Sequence, residues 1–407
     1  MTPEPPHDIL PHIAGRFALL PNDAVIGVAV SGGSDSVALL LALRAAFPEA
    51  NLCAATVDHG LRSEAQQEAQ WVRALCAKLG IDHSILPIND LPTGPNLQAR
   101  ARQARYDALA AWGQAMACSC ICLGHSQTDV AESFLIRLAR GSGVDGLSEM
   151  RGRWADRGME WQRPLLAFSR AALQDFLRRQ GQGWCNDPSN EDPAFMRVRM
   201  RQAAPDLDAL GLTGLRLAKT ATRMRYVQEA LEFSMRGLWP QVAKIDFTDV
   251  LFDREALGRL PREYVERMLA GALNWISGQP YRPRNSALLR ALAAKKTVTL
   301  HGCVLIPQSK TVLRISREFS VVERQVAQAG APWDGRISMV NAEKSYEIRA
   351  LGPSGLGQCP GWRDSGRPRL ALLASPSLWQ GQRLLAAPMA QFGPKDMLKV
   401  VSPPWEW

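Results

Sequence analysis

The stretch that decides the fold is Ser31-Gly32-Gly33-Ser34-Asp35-Ser36. It follows an apolar run at residues 24–30 and leads into a second apolar run at residues 37–43, so the local order is strand, small-residue loop and helix. Glycines let the backbone turn tightly and approach a ligand, and the first amides of a helix present unpaired N–H groups. We therefore expect this loop to cradle a phosphate.

A carboxylate inside such a loop would repel a phosphate unless a cation lay between them. We therefore interpret Asp35 as a ligand of Mg²⁺ that bridges to the phosphates. The hydroxyls of Ser31, Ser34 and Ser36 are expected to donate to phosphate oxygens. The pattern Gly-x-x-x-x-Gly-Lys-[Ser/Thr] does not occur, which excludes the Walker type of phosphate loop. A plain Gly/Ser turn between a strand and a helix is the alternative interpretation.

The first half of the chain alternates strand and helix patterns. We predict strands at 24–30, 51–57, 83–88 and 119–124, and helices at 36–46, 63–79, 97–117 and 127–140. This alternation predicts an α/β fold with a doubly wound parallel sheet, which binds ligands beyond the carboxyl ends of its strands. Segments 31–36, 58–62 and 124–132 fall at such ends and carry chemically active residues. We expect them to share one site.

The rest of the chain has a different pattern. Ser169 is expected to cap a helix that runs to about residue 180. Helical periodicity recurs at 206–236, 254–277 and 284–295, and short alternating runs between residues 297 and 316 indicate strands. We predict three domains, which are an α/β domain at 1–203, a mainly helical domain at 204–318 and a small mixed or β-rich module at 319–407.

Charge is unevenly distributed along the 407 residues, whose net charge is +9. Residues 1–150 hold 10 basic and 15 acidic side chains, a net −5, whereas residues 151–407 hold 38 and 24, a net +14. Arginine supplies 39 of the 48 basic side chains, and its planar fork suits phosphate contacts and stacking on bases. The pattern favours RNA as a partner; solvated arginines on a generally basic protein are the alternative.

No signal-peptide pattern and no apolar run long enough to span a membrane occur in the sequence. The eight cysteines form no Cys-x-x-Cys pair and no evident disulfide framework. We therefore expect a cytoplasmic protein without membrane spans, disulfides or structural zinc.

Two further segments carry candidate ligand contacts. Asp58-His59-Gly60-Leu61-Arg62 ends a predicted strand, and His59 could face a nucleotide there; a local hydrogen-bonded turn is the alternative. Arg102 and Arg105 lie three residues apart on one helix face, a spacing that suits a phosphate clamp and equally a solvated charged face.

The segment from Gly124 to Ser133 follows the fourth predicted strand. Asp129 and Glu132 lie three residues apart, so they share a helix face and could hold an ammonium group. His125 at the strand end could contact phosphate or take part in proton transfer. Acidic residues are also common at helix N-termini for dipole reasons alone, which is the alternative for the carboxylates.

Together these segments resemble the tRNA(Ile)-lysidine synthetase family, a branch of the N-type ATP pyrophosphatases, whose phosphate loop the SGGSDS string matches. The matching strings are SGGSDS, DHGLR, ARQARY, GHSQTDVAES with RLARGSGVDGL, RPLLAFSR and DPSNEDPAFMRVRMR. They span most of residues 24–201 in the family's order. The chain departs from the usual family pattern at Thr128, Val130 and Val198.

The resemblance implies that ATP, with Mg²⁺, adenylylates the C2 oxygen of the first anticodon cytidine in the isoleucine tRNA bearing CAU. The ε-amine of L-lysine would then attack C2 and expel AMP, giving lysidine. A homodimer is compatible with the resemblance. By position, the implied residues are Asp35, Arg102, His125, Asp129 and Glu132 for catalysis, the residues of loop 31–36 with His59 for the nucleotide, and Arg105, Arg197 and Arg199 for tRNA.

Two other functions stay open. A tRNA thiolase of the same superfamily would need reactive cysteines, whereas Cys118, Cys120 and Cys122 alternate along a predicted strand and are expected to pack on one face. A tRNA-binding protein with an inactive nucleotide fold is the other alternative, and the intact loop with Asp35 argues against it.

Overall fold

The computed structural model describes residues 8–21, 23–58, 63–88, 97–186, 194, 196–279, 281–340, 343 and 345–401. The chain divides into two compact units, Met1–Gln228 and Glu229–Trp407. The boundary falls within one long helix, Gly214–Val242. The division into three domains at residues 203 and 318 stays a prediction.

The first unit is built from helices around one sheet. Its helices are α1 (Ile9–Phe17), α2 (Ser34–Ala46), α3 (Ser63–Lys78), α4 (Leu97–Ala115), α5 (Gln127–Ala139), α6 (Val144–Leu147), α7 (Arg170–Arg179), α8 (Met196–Gln202), α9 (Ala204–Ala209) and the start of α10 (Gly214–Val242). Its strands are β1 (Val25–Ala29), β2 (Asn51–Asp58), β3 (Asp82–Pro87), β4 (Cys118–Leu123), β5 (Arg153–Asp156) and β6 (Met159–Gln162).

The sheet of the first unit has the strand order β3-β2-β1-β4-β6-β5. All neighbouring strands are parallel except β5, which pairs antiparallel with β6. The predicted doubly wound α/β fold is therefore confirmed. β1 is almost wholly buried, as expected for a central parallel strand that helices cover on both faces. One face packs against α1, α2 and α7, and the other packs against α4, including Trp112.

Helix α1 and the β5–β6 hairpin were not predicted, and neither were the short helices α6 and α8. Helix α1 buries Ile9, Ile13 and Phe17. The β5–β6 hairpin lies in a stretch rich in Arg and Trp, residues 151–163, and its turn residues Arg157 and Gly158 both have positive φ, 53° and 69°. Two successive residues with positive φ form the kind of two-residue turn that hairpins favour.

The prediction that three cysteines of β4 share one face is wrong for Cys118. Cys120 and Cys122 pack on the α2 side of the sheet, whereas Cys118 packs with Ile121 on the opposite side. The register between β1 and β4 shifts at the second residue of β1, and this irregularity breaks the alternation. All eight cysteines are free thiols.

The second unit contains the expected helices together with more sheet than the sequence pattern indicated. After α10 come β7 (Ala243–Asp246), β8 (Asp249–Asp253), α11 (Arg254–Gly258), α12 (Arg262–Ser277), α13 (Asn285–Ala293), β9 (Val298–Leu300), β10 (Cys303–Pro307), β11 (Val312–Arg317), α14 (Phe319–Val322), β12 (Val326–Gln328), β13 (Ile337–Met339), β14 (Glu347–Ala350), α15 (Gly352–Gly357), α16 (Arg369–Ala374), β15 (Pro376–Gln380), β16 (Arg383–Ala386) and β17 (Leu398–Val400). Strands β7 and β8 were not predicted.

These strands form antiparallel sheets of order β7-β8-β11-β10-β9, β12-β14-β15-β16 and β13-β17. A buried ion-pair network joins the first of these sheets to the C-terminal segment. Arg314 pairs with Asp246 and Asp249 at 2.7 Å each, and Arg367 also pairs with Asp246. Burial raises the pKa of Asp249 to about 6, despite the opposing effect of Arg314. No helix in the described part of the chain has the length and apolarity needed to cross a membrane.

Gly124 provides a test of how closely β4 packs on the phosphate loop. A Cβ at Gly124 would lie 2.8 Å from Ser36 Cα and 2.9 Å from the backbone of Asp35. We expect Gly124→Ala to lower the free energy of unfolding of the first unit by about 1–3 kcal/mol, because backbone must shift. Denaturant melts would measure this, with Gly143→Ala as the control because its Cβ would meet nothing within 4 Å. Equal free energies of unfolding for the two variants would contradict the close approach of β4 to the phosphate loop.

Candidate active site

The candidate site lies where the strand order reverses, between β1 and β4. In open α/β sheets this switch point is where ligands bind, outside the carboxyl ends of the strands. The loop 31–36 leaves the end of β1, and residues 124–126 leave the end of β4. Both lead directly into helices, α2 and α5, so two helix N-termini converge here. Two of the three predicted site segments are thus brought together; most of the third, residues 59–62 with His59, lies outside the described residues.

The loop after β1 has the shape of a phosphate cradle. Gly32 has φ +89°, a conformation that favours glycine, and its carbonyl accepts a hydrogen bond from the backbone of Cys185 at 2.9 Å. Ser36 Oγ donates to the Gly33 carbonyl at 2.9 Å and accepts from the Ser31 backbone N–H at 3.1 Å. Ser31 itself is exposed. Its hydroxyl, unlike that of the buried Ser36, lies open to a ligand.

Three carboxylates meet around one guanidinium, that of Arg170. Arg170 Nε lies 3.1 Å from Asp35 Oδ2, Nη2 lies 3.2 Å from Asp129 Oδ1, and Nη1 lies 3.3 Å from Glu132 Oε1. The acids are 8%, 7% and 4% exposed, respectively. We call Asp35, Asp129 and Glu132 the acid trio. Asp35 and Asp129 come from the first turns of α2 and α5, Glu132 lies one turn further along α5, and Arg170 begins α7.

Ser126 and Arg201 complete the polar shell of the trio. Ser126 Oγ lies 2.9 Å from Asp35 Oδ2 and 3.0 Å from Asp129 Oδ2, within hydrogen-bonding distance of both. Arg201 Nε lies 2.5 Å from Glu132 Oε1. Three carboxylates thus face two guanidiniums, so the cluster is one positive charge short of neutrality. A further cation would be stabilised there.

Arg170 helps to keep Asp129 ionised. Burial alone would raise the pKa of Asp129, but Arg170 and the Ser126 backbone N–H outweigh it and hold that pKa below its ordinary value. Burial would likewise lower the pKa of Arg170, and the three carboxylates raise it above the ordinary arginine value instead. The ion pair therefore favours the charged forms of Asp129 and Arg170 despite their burial.

His125 lies beside the trio but is engaged by another arginine. Arg163 Nε donates to His125 Nδ1 at 3.2 Å. Burial and Arg163 together lower the pKa of His125 to about 3. His125 is therefore neutral at physiological pH.

The other predicted arginines divide between two helices. On α4, Arg102 is exposed and donates to the Tyr106 hydroxyl at 3.3 Å, while burial lowers the pKa of the half-buried Arg105. On α8, Arg197 and Arg199 are exposed, and the charge of Arg197 helps to lower the pKa of Asp129. Arg197 is thus electrostatically coupled to the trio.

Three arginines at this site were missed by sequence reasoning. Arg170 is the last residue of the string RPLLAFSR and directly follows the predicted helix cap Ser169, but the pattern assigned it no role. Arg201 lies four residues after Arg197, so the two share a face of α8, which is a signal that could have been used. Arg163 stands at the end of β6, the parallel neighbour of β4, so it lies at the same edge of the sheet.

The trio offers hard oxygen ligands of the kind that Mg²⁺ prefers. Asp35 and Asp129 approach each other through the shared Ser126 hydroxyl. No group of three or more protein side chains arranged to hold a metal occurs within the described residues. The donor set suits an ion that takes most of its ligands from phosphates and water, as magnesium at nucleotide sites does.

Comparisons with known proteins find similar sequences along most of the chain. The family model ATP_bind_3, a PP-loop domain, matches residues 12–207. A tRNA(Ile)-lysidine synthase from Ruegeria pomeroyi is 42% identical over 389 residues, covering 94% of this chain and 92% of the relative. Another, from Hyphomonas neptunium, is 36% identical over 296 residues, covering 69% of this chain and 78% of the relative. Among solved structures, a U34-tRNA thiolase from Methanococcus maripaludis matches with a TM-score of 0.44 and 16% identity, covering 54% of this chain and 78% of that chain.

Proposed function

This chain belongs to the tRNA(Ile)-lysidine synthase family, and from that premise we propose that it joins L-lysine to C2 of the first anticodon cytidine in tRNA(Ile) bearing CAU. The reaction forms a C–N bond and converts ATP into AMP and pyrophosphate. The observation that supports this assignment is the acid trio, which lies between a phosphate cradle and a cluster of arginines.

The chemistry explains why ATP is needed. The C2 oxygen of cytidine is a poor leaving group, but once it is joined to the α-phosphate of ATP it departs as part of AMP. In the first step the C2 oxygen attacks that phosphorus and pyrophosphate leaves. Loop 31–36 holds the phosphates through backbone amides and the Ser31 hydroxyl, and Arg102 and Arg105 offset the charge that develops on their oxygens.

Asp35 is the residue that would hold Mg²⁺. The ion would neutralise phosphate charge and so remove the repulsion between the nucleotide and the buried Asp35 carboxylate. Ser126 and Arg170 both contact the Asp35 carboxylate, so its oxygens are already oriented.

Asp129 and Glu132 are assigned to the lysine amine. The ε-ammonium group must be captured as a cation and must then lose a proton to act as a nucleophile. The cluster of three carboxylates and two guanidiniums lacks one positive charge, which an ammonium group supplies. Either carboxylate can accept the released proton as the amine attacks C2 and AMP leaves.

RNA binding is assigned to the basic residues beyond residue 150. Residues 151–407 have a net charge of +14, and the exposed Arg197 and Arg199 stand on the helix that contacts Glu132 through Arg201. The anticodon loop is single-stranded, so its first base can be splayed out of the stack and into the site. We propose that residues 204–407, which include the mainly helical tRNA-binding domain at 204–318, supply most of the affinity for tRNA.

The cysteine beside the phosphate loop does not favour sulfur transfer as the function. Cys185 lies beside Gly32 of the phosphate loop, but burial raises its pKa. Burial also raises the pKa of Cys76 to about 11. A sulfur-transferring cysteine needs the opposite, a lowered pKa that gives a thiolate at neutral pH.

The first prediction concerns Asp35. We expect Asp35→Asn to lower the rate of adenylylation by at least about 100-fold, because it removes one carboxylate oxygen charge from the proposed metal site. ATP/pyrophosphate exchange in the presence of tRNA(Ile) measures this step, with the exposed Asp175→Asn as control. The affinity for tRNA should stay unchanged. A wild-type exchange rate would show that Asp35 does not hold the ion.

A second prediction separates the two chemical steps. Asp129→Asn or Glu132→Gln should raise the KM for lysine by about tenfold to a hundredfold, the value of one charge-assisted hydrogen bond of about 1.5–3 kcal/mol. Single-turnover assays with labelled ATP should show adenylylated tRNA accumulating when lysine is limiting. If adenylylation is lost while the KM for lysine is unchanged, these acids serve the nucleotide and not the amine.

A third prediction concerns the tRNA interface. The affinity for tRNA should fall linearly with salt on logarithmic axes, because arginines that neutralise phosphates release counterions. Arg199→Gln should reduce that slope by about one unit, because the variant no longer neutralises one phosphate. Arg178→Gln is the matched control, since Arg178 is already paired with Asp175. Equal slopes for wild type and Arg199→Gln would remove Arg199 from the tRNA interface.

A further inference from the structure

The hydrogen bond from Arg163 to His125 determines the state of the imidazole. A guanidinium can only donate, so His125 Nδ1 must carry the lone pair that accepts from Arg163 Nε at 3.2 Å. In a neutral imidazole the proton is then on Nε2. The geometry therefore selects one of the two tautomers.

Arg163 is held in place by contacts on every side. Its Nη1 donates to the Arg151 carbonyl at 2.8 Å, and its Nη2 donates to the Tyr106 hydroxyl at 3.2 Å. Its guanidinium lies over the Trp154 ring, 4.0 Å from the ring centre. The side chain is only 7% exposed. It cannot swing away from His125 without breaking several contacts.

The other nitrogen of His125 is left as a donor. Within the described residues, Nε2 has no hydrogen-bond partner, and the residue is half-buried at the edge of the site. The charged groups that act on the ring are Arg163, Asp129, Arg105 and Arg102, and three of these four are cations. Cations around the ring oppose a second proton, which agrees with a pKa lowered to about 3 by burial and Arg163.

We propose that Arg163 is a positioning residue that fixes His125 as the Nε2–H tautomer, so that His125 acts as a neutral hydrogen-bond donor to an anionic oxygen and transfers no proton. The nature of that oxygen, on the α-phosphate or on the leaving pyrophosphate, rests on the proposed function. A fixed neutral donor stabilises charge that develops on an oxygen without reorganising during the reaction. The sequence alone left phosphate contact and proton transfer open for His125, and the geometry favours the first.

The direct test is spectroscopic and does not depend on activity. Histidine-selective 15N labelling with two-bond 1H–15N correlation spectra distinguishes the two neutral tautomers and the imidazolium. The full-length protein has six histidines, and His125→Asn identifies the relevant signals by their loss. We expect the Nε2–H pattern, unchanged from pH 8 to pH 5. In the wild-type protein, an Nδ1–H pattern or an imidazolium at pH 7 would overturn the proposal.

Variants test the role of Arg163. Arg163→Met should produce a mixture of His125 tautomers. Arg153→Met, at an exposed position of strand β5, should leave the spectrum unchanged. A folded Arg163→Met protein with the wild-type pattern would contradict the proposal. If Arg163→Met does not fold, the wild-type spectrum alone decides the tautomer.

Kinetics separate positioning from independent catalysis. In ATP/pyrophosphate exchange, His125→Asn and Arg163→Met should each lower kcat by about 100-fold. In lysidine formation, the KM for lysine should be unchanged. The double variant should be no slower than His125→Asn, because Arg163 acts through His125. Additive losses would overturn the positioning role. If the wild-type protein forms no lysidine, the proposed function fails, whereas the spectra still decide the state of His125.

Discussion

The site depends on one interaction, the contact of the Arg170 guanidinium with three buried carboxylates. Acids this close repel one another, and burial makes each charge costly. Arg170 offers each carboxylate a different nitrogen, so a planar cation satisfies three anions that come from two helices. Removing one partner from such a buried pair typically costs about 3–5 kcal/mol. The first turns of α2, α5 and α7 are therefore held together electrostatically as well as by packing.

The same cluster explains how one small site could serve two chemical steps. Asp35 belongs to the phosphate loop, and Asp129 and Glu132 belong to the helix after β4. Arg170 bridges these two halves, and Ser126 bridges Asp35 to Asp129. Because the cluster lacks one positive charge, it attracts a cation. Binding of that cation leaves no additional buried anion unpaired. The adjacent His125 adds a donor without a charge, so it does not compete with that cation.

The sequence predicted the fold of the first unit well because its signals are local. Apolar runs of strand length alternate with helical periods, and SGGSDS stands at the first turn of α2. The sequence patterns did not predict the features that long-range contacts determine. Arg170 and Arg201 reach the trio from helices distant in sequence, and a register shift between β1 and β4 moved Cys118 to the other face. The β5–β6 hairpin was hidden by an Arg/Trp-rich composition that resembles an RNA-binding stretch.

The most direct test of this account replaces Arg170 with lysine. Lysine keeps the charge, but its single ammonium group cannot contact three carboxylates as the planar fork does. Single-turnover assays should show for Arg170→Lys both a slower adenylylation and a higher KM for lysine, each by about tenfold or more. Arg179→Lys, at an exposed position of the same helix, should behave as wild type. A wild-type value for either step in Arg170→Lys would contradict the claim that Arg170 organises both halves of the site.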